Sequence, residues 1–159
     1  MMTSIGATVE LGRSGQKAQA REALTALWDQ LGADGDAFHR CTLAHYLADL
    51  QDTTEAELVW DERALAAVAD LTDERAQRYL SSLQVQNFLP SLHLNLADCH
   101  RRLGNTTLAR EHLVTAEDLV GHLPDDQYGD LIRGAIRHVA EALETGSTER
   151  LDSHPSSRG

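Results

Sequence analysis

Histidine and cysteine side chains cluster in one part of this 159-residue chain, where their chemistry could bind a metal ion. His93 and His100 are seven residues apart, which returns a helix to nearly the same face, and Cys99 and His112 lie nearby in the sequence. Zn²⁺ prefers such nitrogen and sulfur ligands, but it needs three or four that converge. Because the chain has no His-Glu-x-x-His run and no Cys-x-x-Cys pair, we interpret these residues as half-buried packing residues. We expect no metal and no cofactor; a metal-binding protein or enzyme using this set is the alternative.

Other motifs that carry catalytic chemistry are missing from the sequence. It contains no Gly-x-Gly-x-x-Gly, no phosphate-binding loop and no Gly-x-Ser-x-Gly elbow. Ser14-Gly15 near Lys17 lacks the lysine directly after the last glycine that a phosphate loop requires. The paired carboxylates Asp125 and Asp126 precede a predicted helix, so we interpret them as its N-terminal cap. The sequence therefore predicts a protein that is not an enzyme.

The charge of the chain narrows the classes of partner. A net charge of -11 argues against nucleic acid, which needs clustered Lys and Arg, and against an anionic membrane surface. No stretch approaches the roughly 20 apolar residues that span a bilayer.

Cys41 and Cys99 are too few and too far apart for a disulfide framework, and we expect both to be buried. The chain start lacks the basic and apolar pattern of a secretory signal, so we expect a cytoplasmic protein.

Helical periodicity dominates the sequence, and no segment alternates like a strand. A weak first helix is expected over about residues 2–12, and Gly32 should end the second. Thr54-Glu55-Ala56-Glu57 is typical of a capping box, which predicts a helix from there to about Asp70. Leu and Ala carry most of the apolar positions, as is usual in helical cores.

The second half of the chain shows the same periodicity. An apolar series from Ala76 to Leu103 is interrupted by Pro90, and we favour one kinked helix over a break. Gly104 should end it, the next helix should run to about Val120, and Asp125 or Asp126 should cap a last helix with a charged outer face. From residue 145 onward nothing apolar repeats, so the sequence predicts a domain over 1–144 and a disordered tail over 145–159.

A short motif occurs twice: Ala-Arg-Glu-Ala-Leu at residues 20–24 and Ala-Arg-Glu-His-Leu at 109–113. With Leu96-Ala97, Leu103-Gly104-Asn105 and Ala116, residues 90–123 resemble a tetratricopeptide repeat, a helix–turn–helix unit of about 34 residues. Residues 37–70 match less closely, and Arg63 stands where the family has a small residue. The resemblance implies an all-α, right-handed stack of antiparallel helical hairpins. It would hold about two and a half repeats, an inserted helical extension at roughly 72–89 and a C-terminal capping helix.

In this family the first helices of the repeats line a concave groove that binds a peptide or a partner protein. Asn95 matches an asparagine that often bonds a ligand's backbone, although it could equally tie two neighbouring helices together. Arg101 or Arg102 could hold a carboxylate. Thr42 stands where a second asparagine is expected, so we predict no clamp for a terminal carboxylate. The resemblance implies this set of groove residues: Phe38, Thr42, His45, Asp49, Leu94, Asn95, Asp98, Arg101 and Arg102.

The sequence thus predicts a non-catalytic protein–protein interaction module that binds a peptide or partner protein in its groove. Because a short repeat array has vulnerable ends, the chain could also pair with a second copy as a homodimer. The alternatives are a stand-alone regulatory or sensor domain for a small ligand or signalling peptide, and the histidine-based metal protein above. Whether residues 72–89 extend the groove or block it stays open.

Overall fold

The computed structural model of the protein describes residues 1–70 and 83–151, of which residues 83–88 by their backbone alone. Within this part, every regular element is helical, with seven α-helices and one short 3-10 helix, which confirms the predicted all-α class. No helix of these residues combines the length and apolar character needed to cross a bilayer. By its internal contacts the chain divides into two compact units, Met1–Gln77 and Arg78–Arg158.

The first unit contains four helices joined by short connections. They are α1 (Met2–Arg13), α2 (Lys17–Leu31), α3 (Ala37–Asp49) and α4 (Thr54–Ala69). Each helix packs against the next, and the pair α3 and α4 forms the most extensive contact. A large aliphatic side chain from α1, one from α2 and two from α3 fill the core: Ile5, Leu24, Leu43 and Leu47.

The ends of these helices follow local chemistry. Gly32 ends α2 with a φ of 71°, a conformation that glycine adopts without a steric penalty. The N-cap of α4 is Thr53, one residue before the predicted Thr54, because the Thr53 hydroxyl accepts the hydrogen bond from Ala56 N at 3.2 Å. Ala56 thus stands where a capping box has Glu or Gln. Glu57 is buried at 2 % exposure. The start of α4 is thus predicted correctly to within one residue.

The second unit contains a helical hairpin and a covering helix. They are α5 (Leu83–Arg102), α6 (Thr106–Asp118), a 3-10 turn (Val120–His122) and α7 (Gln127–Glu144). All three α-helices pack against one another. Their shared core consists of aliphatic side chains: Leu94, Ala97, Ala109, Leu113, Ala116, Leu123, Ile132, Ala135, Ile136, Val139 and Leu143.

The helix α5 continues through Pro90, as the sequence predicts, while the part of the apolar series before residue 83 lies outside the described residues. Gly104, with a φ of 79°, ends the turn after α5. Asn105 occupies the N-cap position of α6 without a side-chain cap bond. The carboxylate of Asp126 caps α7 by accepting from Gly129 N at 2.9 Å, which confirms one of the two predicted caps.

The segment after α7 contacts the second unit through hydrogen bonds and one apolar side chain. The carbonyls of Ser147 and Glu149 accept hydrogen bonds from Arg101, and Leu151 packs against the core of the second unit. The sequence predicts a disordered tail over 145–159; within its first seven residues a buried arginine supplies partners to a polar stretch of backbone. Residues 152–159 lie outside the described part of the chain.

Candidate functional site

Two half-buried tryptophans of the first unit have arginine side chains close to their rings. Trp28 of α2 and Trp60 of α4 meet edge to face, with ring centroids 5.2 Å apart and an interplanar angle of 87°. The guanidinium carbon of Arg63 lies 4.3 Å from the centroid of Trp60 and 5.9 Å from that of Trp28. Arg40 of α3 lies 5.8 Å from Trp28. These distances permit cation–π attraction, and we call these four residues the tryptophan–arginine surface.

This surface forms because three helices of the first unit converge there. Trp28 and Trp60 pack against the aliphatic core of the unit, and both remain partly exposed. Arg63 is exposed and lies one turn after Val59, itself 45 % exposed, so the two share a face of α4. The residue that departs from the tetratricopeptide pattern therefore covers an aromatic ring at the surface.

The two arginines differ in their ionic partners. Arg40 pairs with Asp70, with an N–O distance of 3.1 Å. Arg63 forms no ion pair with any residue in the described part of the chain, and it is exposed beside an aromatic ring. A guanidinium next to tryptophan and valine can hold a carboxylate while the rings take up an apolar side chain.

The residues predicted to line a groove are placed mostly in the interior. On α3, two of them are buried and two are half-buried; on α5, four are buried and one is half-buried. Because buried side chains offer no surface to a partner, this set does not form an open groove within either unit. The buried members are Phe38, Thr42, Leu94, Asn95, Asp98 and Arg101, and the half-buried ones are His45, Asp49 and Arg102.

The polar groove candidates of α5 bind one another. Asp98 accepts from Arg101 at 2.6 and 3.0 Å and from Arg102 at 2.9 Å. The side chains of Asp98 and Arg101 are each only 1 % exposed. The two arginines that the sequence predicts to hold a partner's carboxylate thus hold a carboxylate of their own helix, three and four residues earlier.

Three histidines of the second unit form a cluster between α5 and α6. The Nδ1 atoms of His93 and His112 lie 3.0 Å apart, and the two rings have centroids 5.3 Å apart. The ring of His100 is stacked on that of His112, with an interplanar angle of 3° and centroids 5.6 Å apart. The amide Nδ2 of Asn105 lies 3.4 Å from His100 Nδ1. The structure therefore brings together the three histidines of the metal alternative.

The histidine cluster contains one ring that is neutral at pH 7, and it does not provide three converging metal ligands. Burial, and next the neighbouring His112, lower the pKa of His93 to about 4, so this ring is neutral at pH 7. A metal site of three ligands needs ligand atoms that all lie within 4.8 Å of one another. Adding His100 or Cys99 to His93 and His112 does not meet this distance. Cys99 is buried, with its sulfur 3.6 Å from Arg102 Nη2. The Nδ1 atoms of His93 and His112 face each other at hydrogen-bond distance, nearly on the line that joins the two ring centroids.

No protein-family model, curated protein or solved structure matches the chain. The arrangement of its own residues is what supports a function.

Proposed function

We propose that the protein is a non-catalytic helical module, similar to a tetratricopeptide-repeat domain, that binds a partner protein through the tryptophan–arginine surface. The observation that carries this proposal is Arg63, which is exposed, lies over the ring of Trp60 and has no ionic partner among the described residues. Tryptophan and arginine are the residue types most enriched among those that dominate binding energy at protein interfaces.

The chemistry of the surface indicates the kind of partner. Half-exposed indole rings and Val59 favour an apolar side chain, and Arg63 favours a carboxylate beside it. The net charge of -11 repels a partner that carries many carboxylates. We therefore propose as the partner an apolar peptide segment with a single carboxylate, presented by another protein.

The binding surface differs from the one that the sequence predicts. Asn95 is 3 % exposed, and Arg101 is 2 % exposed and fully engaged with Asp98 and the chain after α7. A partner that used these groups would first have to break buried charged hydrogen bonds, which costs several kcal/mol. The tryptophan–arginine surface requires no such rearrangement.

A displayed library of random peptides provides the test, because it samples many sequences and does not require the natural partner to be identified first. Peptides that bind the whole chain should be enriched in an aromatic or aliphatic residue next to Asp or Glu. When the Trp60→Ala variant is the target of the selection, these peptides should not be enriched. Enrichment of the same peptides by wild type and by a folded Trp60→Ala variant would overturn the assignment of the surface.

A further inference from the structure

The chain after α7 contacts the second unit in the manner of a bound peptide. Residues 147–151, which we call the strap, form no helix or strand. Arg101 donates from Nη1 to the carbonyl of Ser147 at 2.6 Å and from Nη2 to the carbonyl of Glu149 at 2.7 Å. Because every peptide offers backbone carbonyls, this part of the recognition does not depend on the side chains of the strap.

One side chain of the strap adds an apolar contact. Leu151 is half-buried and packs against the aliphatic core that α5, α6 and α7 share. Thr148, Glu149 and Arg150, in contrast, are exposed. The contacts thus come from two carbonyls that are two residues apart and from an aliphatic side chain two residues after the second carbonyl. This combination is typical of a peptide that is recognised through its backbone and one apolar anchor.

The end of α7 does not depend on the strap for its hydrogen bonds. The N–H of Gly146 donates to the carbonyl of Leu143 at 3.3 Å, and that of Ser147 donates to the carbonyl of Ala142 at 2.9 Å. With a φ of 72° at Gly146, these bonds form a Schellman motif, which ends a helix by local contacts alone. The strap can therefore leave Arg101 without unwinding α7.

We propose that Arg101 and the apolar surface under Leu151 form a peptide-binding site, which the strap occupies in cis and which a segment of a partner protein takes over. The ligand is a peptide that presents two backbone carbonyls two residues apart and a leucine-like side chain two residues further on. The strap is then an autoinhibitory segment. The site lies in the second unit and does not depend on the tryptophan–arginine surface of the first.

Exchange of the strap for another peptide preserves the buried ion pair. Asp98 accepts from Nε and Nη2 of Arg101 at 3.0 and 2.6 Å, so the guanidinium stays fixed by its own helix when the strap leaves. An incoming peptide replaces two carbonyl acceptors by two others, and Arg101 keeps a full set of partners. Because the strap is covalently attached, a competing peptide meets it at an effective concentration on the order of millimolar, which weakens the binding of every competitor.

The test uses full-length chains and a labelled peptide of residues 145–151, amidated at its C-terminus. The Leu151→Asp chain should bind this peptide with a Kd at least about tenfold lower than wild type does, because its own strap has lost the apolar anchor. A peptide that itself carries Leu151→Asp should bind neither chain. Val114→Asp adds the same charge at a position of α6 that is 54 % exposed, and this chain should bind as weakly as wild type. Fluorescence polarisation measures each Kd.

An equal Kd for wild type and a folded Leu151→Asp chain would overturn the proposal. If Leu151→Asp does not fold, NMR of the wild-type chain decides. Unlabelled peptide at several times the effective concentration, on the order of 10 mM, should displace the strap and move the amide signals of residues 147–151. Unmoved signals would overturn the proposal.

Light scattering distinguishes a second copy of the chain from a partner peptide as the occupant. The wild-type chain should be monomeric, because its strap binds in cis. A wild-type dimer that Leu151→Asp dissociates would show that the site exchanges straps between two copies, and would overturn the assignment to a partner peptide.

Discussion

Arg101 of α5 donates a hydrogen bond to the backbone carbonyl of Glu149, 48 residues later in the chain, at 2.7 Å. A second bond to the carbonyl of Ser147 at 2.6 Å and the ion pair with Asp98 complete its set of partners. The guanidinium therefore fastens the segment after α7 to α5, while Leu151 adds apolar contact with the core. Hydrogen bonds from a charged donor contribute more than neutral ones.

Removal of this segment should therefore cost stability. A chain that ends at Gly146 loses both carbonyl partners of Arg101 and the contact of Leu151, and its free energy of unfolding should fall by about 2–4 kcal/mol. A chain that ends at Leu151 keeps all three and serves as the matched control. Urea denaturation measures the difference between the two chains, and equal midpoints would show that the segment does not stabilise the unit.

Asp98 should be among the least tolerant positions of the second unit. Asp98→Asn leaves two guanidinium groups without their carboxylate in a buried setting, and the free energy of unfolding should fall by about 3–5 kcal/mol. Asp125→Asn removes the fully exposed carboxylate that pairs with Arg133 at 3.3 Å, and should leave the urea midpoint nearly unchanged because solvent screens this pair. Similar losses in the two variants, measured by urea denaturation, would contradict the structural role of Asp98.

The helices of this chain are readily predicted from its sequence. Apolar spacing places α1 to α4 and α5 to α7, and Gly32 and Gly104 mark helix ends because both adopt positive φ. The hairpins α3–α4 and α5–α6 coincide with the two stretches that resemble tetratricopeptide repeats. Local rules suffice there because helix ends depend on residues within one or two turns.

The candidate sites are harder to predict, because burial depends on partners distant in the sequence. Asp98 and Arg101 are charged residue types that are usually exposed, which is why the sequence places them in a groove. In the structure both are buried, and each neutralises the charge of the other. The spacing of His93 and His100 indicates a shared face, but the contact with His112 requires the hairpin to close. Arg63 is visible in the sequence only as a departure from the repeat pattern, whereas its position over Trp60 requires packing of the folded unit.

The stability of the protein should depend on pH through His93. Its pKa in the folded chain is about 4, below the ordinary value of 6.5, so between these values the unfolded chain binds a proton that the native chain does not. Stability from this group is complete above about pH 6.5 and is lost as the pH falls toward 4. Because the ring is partly exposed and screened, we expect a loss on the order of 1 kcal/mol.

His93→Gln isolates this contribution, because glutamine does not titrate. Urea denaturation of both proteins between about pH 7 and pH 4.5 should show a smaller decline for the variant. Identical pH dependence in the two proteins would exclude His93 as the source.

The two cysteines should be unreactive in the folded protein. Burial raises the pKa of Cys41 to about 12, and Cys99 is 0 % exposed. Because the thiolate is the reactive form, a disulfide reagent at about pH 8 should label both thiols rapidly only in denaturant. Native labelling at the rate of an exposed thiol would contradict the placement of these residues in the interior.

Charge reversal at Arg63, with a matched control, tests binding at the tryptophan–arginine surface most directly. Arg63→Glu and Arg110→Glu change the net charge equally, and both positions are exposed, but Arg110 lies on α6 in the second unit. The measurement is the Kd of a library-selected peptide, labelled and followed by fluorescence polarisation. Arg63→Glu should weaken binding by at least about 2 kcal/mol, or roughly 30-fold, and Arg110→Glu should leave it within about twofold. Equal effects of the two reversals would contradict the proposed function, because binding would then follow net charge and not the tryptophan–arginine surface.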